Sequence, residues 1–170
     1  MSWIFGCVSK NNKFSKDISK LHPEAKYIWQ NSEIYFAVGG NTKAILHSGQ
    51  NPSIPFAVCG LPISENGNSF LDSESIEGYL QNSENEFTDL NGHFCGCFYK
   101  NRELKFFTDP LGLRDIHFYE TDDLIYFSSR LDWILKLGKF EIDFKTMGSR
   151  WQLINQISSK SIIKNIYRLN

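Results

Sequence analysis

The chain has no apolar run approaching the roughly 20 residues that a bilayer-spanning helix needs, and its start, Met1-Ser2-Trp3-Ile4-Phe5-Gly6, has no basic segment ahead of an apolar one. A membrane span and a signal peptide are therefore not expected, and a cytoplasmic location is the expectation. Excess charge is missing too. A formal net charge of −1 offers no electrostatic attraction for nucleic acid or an anionic membrane. There is no C-x-x-C pair or His pair to complete a zinc site, so no metal is expected. No G-x-x-x-x-G-K follows a strand, which leaves Gly39-Gly40-Asn41 as a plain turn rather than a phosphate loop. No internal repeat or low-complexity tract is present, and no cofactor is implied.

What the chain does have is a globular composition, with 41% hydrophobic and 22% charged residues over 170 positions. A single domain of this length buries roughly 70% of its unfolded surface, so residues 1–170 are read as one domain. Aromatics reach 15% and concentrate in runs of strand length. Four cysteines occur at 7, 59, 95 and 97. Their spacing suits buried, reduced thiols that act as small hydrophobes.

Residues 90–135 carry the clearest pattern. Apolar runs at 94–99, 104–108, 116–119 and 124–128 alternate with turns at Asn101-Arg102-Glu103, Pro110 and Gly112, and Thr121-Asp122-Asp123. Each of these turn types has a physical reason to reverse the chain. From Arg130 the period becomes helical, through Leu131, Ile134, Leu135 and Gly138. One antiparallel meander leading into a helix is predicted. Further strands are predicted at 3–8, 26–30, 33–38, 43–47 and 56–59. Helices are predicted at 14–21, stopped by Pro23, at 75–81 with Asp72 or Ser73 as cap, and at 144–157 with Met147, Trp151, Ile154 and Ile157 on one face. His47, His93 and His117 have no Asp or Ser partner at a fixed spacing and read as structural. The class is α+β, with helices outside stacked antiparallel sheets.

Three segments together resemble the glutamine amidotransferase domain of the asparagine synthetase family, which is class II with an N-terminal-nucleophile hydrolase fold. Met1-Ser2-Trp3-Ile4-Phe5-Gly6 is similar to an M-C-G-I-F-G start. Leu90-Asn91-Gly92-His93-Phe94 matches L-x-G-x-F. Asp109-Pro110-Leu111-Gly112-Leu113-Arg114 is similar to D-x-x-G-x-R-x-L and is followed by Phe127-Ser128-Ser129 before a helix. Residues 162–170 resemble the segment leading into that family's synthetase half, which this chain does not include. The resemblance implies a four-layer αββα sandwich of two antiparallel sheets.

It also implies a chemistry. A cysteine freed at its α-amine, whose pKa is about 8, uses that amine as base. Its thiolate attacks the glutamine amide, and backbone N–H groups with an Asn hold the oxyanion. Here the nucleophile position is Ser2, a far weaker acid than a thiol. Trp3 replaces a small glycine, and its indole is expected to crowd the site. Ser48 stands where an Arg would clamp the substrate carboxylate. Gly60 is kept, but Cys59 replaces the oxyanion Asn and Leu61 replaces a carboxylate. Asp72 falls where a second carboxylate would be, and it can equally cap a helix.

The expectation is a domain without glutaminase activity, with a structural or interaction role beside an ATP-dependent amide-forming synthetase of the lasso-cyclase or β-lactam-synthetase kind. A homodimer stays open. The alternative is a Ser2-dependent hydrolase or amidase acting on a non-glutamine acyl group. A third reading makes Cys59 a nucleophile or redox thiol, and no basic partner for it is visible in the sequence.

Overall fold

The computed structural model describes residues 1–11, 14, 18–22, 24–50, 52–67, 69–82, 90–152 and 161–169. Ten strands and three α-helices occur among them: β1 (Trp3–Ser9), β2 (Ala25–Gln30), β3 (Ile34–Gly39), β4 (Ile45–His47), β5 (Phe56–Ile63), α1 (Ser73–Gln81), β6 (Asn91–Lys100), β7 (Glu103–Thr108), β8 (His117–Glu120), β9 (Leu124–Ser128), α2 (Leu131–Ile134), α3 (Phe144–Gln152) and β10 (Ile166–Arg168). The class is α+β. Two sheets form, one of six strands ordered β10-β8-β9-β1-β3-β2 and one of four ordered β4-β5-β6-β7. All pairings within them are antiparallel.

β1 lies inside the larger sheet, between β3 and β9, and both of its faces are covered. That explains its nearly unbroken apolar sequence, because a strand covered on both sides loses the alternation of a half-exposed one. Ile4 joins Phe36, Val38 and Phe127 of its own sheet and Ala57, Cys59, Cys95 and Cys97 of the other in one apolar cluster. The alternate residues Trp3, Phe5 and Cys7 join Tyr35, Ala37 and Tyr126 in a second cluster with Trp133 and Ile134 of α2. A third cluster brings Phe56, Val58, Phe94 and Phe107 of the smaller sheet against Ile76 and Leu80 of α1.

Two expectations are corrected here. Residues 90–135 are not one meander: β6 and β7 belong to the smaller sheet, whereas β8 and β9 belong to the larger. The chain changes sheet through the turn that begins at Asp109. This carboxylate is buried and accepts hydrogen bonds from the backbone N–H of Leu111, Leu113 and Arg114 at 3.2, 3.1 and 3.2 Å. Trp3 does not crowd the position of Ser2. Its ring lies over Gly39, its cross-strand partner, and meets Trp133 edge-on at 4.6 Å, on the opposite face of β1 from Ile4.

Smaller differences follow from local chemistry. The helix predicted over 14–21 is described only as a 3-10 turn at Ile18–Leu21, with 15–17 and Pro23 outside the described residues. The strand predicted at 43–47 starts later, because Asn41 caps a 3-10 turn at Thr42–Ala44 by accepting from the Lys43 N–H. β5 runs on past Gly60 to Ile63, paired throughout with β6. The end of the predicted helix at 153–157 lies outside the described residues. The tail resembling a lead into a synthetase half is knitted into the larger sheet. β10 pairs with β8, Arg168 meets Asp115 at 2.8 Å, and the Leu169 N–H donates to Ile116 O.

Candidate functional site

Four distant pieces of sequence meet at the entrance of β1. Ser2 is buried, with 4% of its surface exposed, although Met1 before it is 89% exposed. The Ser2 carbonyl accepts a hydrogen bond from Arg114 Nη2 at 2.8 Å, across 112 positions of sequence. The turn held by the Asp109 carboxylate aims that guanidinium. Two residues further on, Ile4 is clamped from both sides. Its N–H donates to Ser129 Oγ at 3.0 Å, and its carbonyl accepts from the Ser129 N–H at 3.0 Å and from Ser128 Oγ at 3.1 Å.

Gly60 forms the other wall. Its φ of +115° is open to glycine at little cost. A β-carbon there would lie 2.1 Å from His93 O, 2.6 Å from Phe94 Cα and 3.0 Å from Arg114 Nη1. The absent side chain therefore lets β6 and Arg114 close in. Next to it, Cys59 is fully buried opposite Cys95, with the two sulfurs 3.4 Å apart. Burial pushes the Cys59 thiol up. The hydrogen bond with Cys95, the Arg114 charge and the Ser129 hydroxyl outweigh it and hold Cys59 below the usual thiol range. Cys95 moves the other way, raised first by that same hydrogen bond and then by burial. Cys7, in the apolar cluster on the far face of β1, is pushed up to about 12 by burial alone. All four cysteines are free and buried.

The remaining positions named from the sequence sit elsewhere. Ser48 is buried and engaged on two sides: its Oγ lies 2.6 Å from the Tyr27 hydroxyl of β2 and accepts from the Phe56 N–H of β5 at 3.2 Å. The Tyr27 ring stacks on His47 at 4.7 Å, and burial pushes its phenol up. Ser48 thus ties an edge of one sheet to the other. Leu61 is 42% exposed and lies opposite His93. Asp72 caps α1, accepting from the Ser75 N–H and hydroxyl at 2.9 and 2.6 Å, and these bonds lower its pKa. Of the histidines, His47 Nδ1 lies 2.9 Å from Ser48 O and His93 Nε2 lies 3.3 Å from Leu113 O, both structural contacts.

Arg114 is the residue that reading the sequence did not assign to the site. It supplies the basic partner that Cys59 lacked. Its signal was present at the end of the Asp109–Arg114 motif, but nothing local says which strand a turn residue will reach. Among the described residues, no group of three or more His, Cys, Asp and Glu side chains could hold a metal ion. No helix among them is long and apolar enough to cross a membrane. Three cavities, lined by Tyr119, Phe140 and Lys164, by β2 with Gly49, Gln50 and Pro52, and by Ser161 with Ile166, include none of Ser2, Ser48, Cys59, Gly60, Leu61 or Asp72. The chain matches no protein-family model and no curated protein sequence.

Proposed function

We propose that this chain is a glutamine amidotransferase-like domain related to the asparagine synthetase family. In this reading it has no glutaminase activity and serves a structural or interaction role beside an ATP-dependent amide-forming synthetase. The observation that carries the reading is the convergence at β1. The start of the chain, the Asp109–Arg114 turn and Ser128–Ser129 are three segments of the resemblance, and they meet within hydrogen-bonding distance at Ser2 and Ile4. The L-x-G-x-F segment joins them, because Phe94 O accepts from the Asp109 N–H at 2.9 Å. The three apolar clusters, one between the sheets and one between each sheet and a helix, support a four-layer αββα arrangement.

The same positions argue against glutamine chemistry. A zwitterionic substrate needs a cation for its carboxylate and an anion for its amine. Ser48 is tied to Tyr27 and Phe56, Leu61 is apolar, and Asp72 is occupied as a helix cap. The oxyanion position carries a thiol that faces another thiol. The Arg114 guanidinium is already bound to Ser2 O.

Exposure of the chain to a glutamine-analogue electrophile, followed by intact-mass spectrometry, tests this reading. The expected spectrum shows the unmodified chain alone. A stoichiometric adduct that maps to residue 2, in chains lacking Met1, and disappears in Ser2→Ala would overturn it. That result would support the Ser2-dependent hydrolase instead.

A further inference from the structure

We propose that Cys59 and Cys95 form a reversible redox site, closed to a cross-strand disulfide by a small peroxide and reopened by a thiol reductant. This inference does not depend on the proposed family. It starts from register: the two residues are directly opposed on β5 and β6. The Tyr99 N–H donates to Pro55 O at 2.9 Å, and in this register that makes Cys59 and Cys95 a hydrogen-bonded pair. Such pairs place their Cα atoms about 5.5 Å apart, inside the disulfide range of about 4.4–6.8 Å. The sulfurs are already 3.4 Å apart, and closing the bond draws the two β-carbons, about 5.5 Å apart in such pairs, toward the roughly 3.8 Å of a disulfide, a strain that makes the bond easy to reduce.

The other thiols are badly placed. Cys97 lies opposite Ala57, and Cys7 packs in the cluster on the far face of β1. Buried thiols in apolar surroundings are normally inert. Arg114 is what distinguishes this pair. Its guanidinium comes to the edge of β5 at Gly60, the residue next to Cys59, and the side chain is half-buried. A fixed positive charge therefore stands beside the pair. Cys59, the neighbour of Gly60 where the guanidinium sits, is the attacking sulfur, and Cys95, whose sulfur is 3.4 Å away, resolves.

The chemistry balances in two steps. The Cys59 thiolate attacks one peroxide oxygen and the O–O bond breaks. The departing oxygen takes up a proton, leaving a sulfenic acid. The Cys95 sulfur then attacks the sulfenic sulfur, forming the S–S bond as the S–O bond breaks. The departing hydroxide takes the Cys95 proton and leaves as water. Two thiols are oxidised by two electrons and one peroxide is reduced.

The test is a thiol map of the intact native chain after brief exposure to hydrogen peroxide. The chain is then denatured, alkylated and digested. The expected result is loss of two hydrogens in mass, a linked peptide joining Cys59 to Cys95, alkyl label on Cys7 and Cys97, and full reversal by dithiothreitol. Arg114→Met is expected to close the bond about tenfold more slowly, because the thiolate fraction at Cys59 falls. Four labelled thiols after an exposure that oxidises free glutathione would overturn the proposal. So would a linkage through Cys7 or Cys97, or sulfinic acid at Cys59 without linkage. The map of the unaltered chain decides the matter even if the Arg114 variant fails to fold.

Discussion

Gly6→Ala is expected to lose about 3 kcal/mol of stability, at the upper end for an overpacked core position. Gly6 stands opposite Phe127 on one side and Phe36 on the other, in the middle of the larger sheet. An alanine β-carbon would sit 2.2 Å from Phe127 Cζ and 2.5 Å from Tyr35 O. The ring is fully buried and held edge-on by Phe106 at 4.8 Å, and the carbonyl belongs to the β1–β3 ladder, so neither yields cheaply. Gly96 beneath Phe107 in the other sheet repeats the device, an aromatic ring laid over a cross-strand glycine. Urea denaturation with an unchanged m-value reads the loss. The double variant Gly6→Ala/Phe127→Leu is expected to fall short of additivity by about 1 kcal/mol, since the leucine relieves part of the clash. A Gly6→Ala chain as stable as the parent would show that the Phe127 ring is not fixed over Gly6.

Asp109→Ala is expected to cost about 2–3 kcal/mol, because it removes a buried carboxylate that accepts from three backbone donors of an otherwise exposed turn. The same turn carries the chain from one sheet to the other and presents Arg114 to Ser2, so the loss should also free the guanidinium. Asp109→Asn separates these effects. Its remaining carbonyl oxygen can still accept from Leu111 and Leu113, but its amide group would face the Arg114 N–H donor to donor. About half of the loss is expected to return, since two of three bonds are kept but become neutral. Urea midpoints for the two variants check this. Equal midpoints for Asp109→Ala and the parent would mean that the turn is held by something other than this carboxylate.

Much of the architecture was legible because it is local. The hairpin through Asn31, the cap at Asp72, the turns at Asn101 and Asp122 and the strand at the N-terminus all follow from residues within a few positions of each other. The partition of strands between sheets was not legible. A run such as 104–108 looks the same whichever sheet receives it, and only the buried Asp109 carboxylate redirects the chain. The orientation of Trp3 was hidden for a related reason: β1 is apolar on both faces, so its alternation carries no contrast. At the site, the candidate residues were found by resemblance, but their surroundings are long-range. Tyr27 beside Ser48, Cys95 beside Cys59 and Arg114 beside Ser2 are 21, 36 and 112 positions apart. No periodicity within one element reports such meetings.

The proposal to be tested is that this chain has the frame of an amidotransferase-like domain around a site that does not hydrolyse glutamine. Ammonia release from glutamine by the purified chain, and by Ser2→Cys alongside it, tests that claim most directly. Both are predicted to stay at the level of a protein-free blank, because a thiol at residue 2 leaves Ser48, Cys59 and Leu61 without the charged and amide groups that would hold glutamine. Saturable, glutamine-dependent ammonia release by the parent chain, abolished in Ser2→Ala, would contradict it.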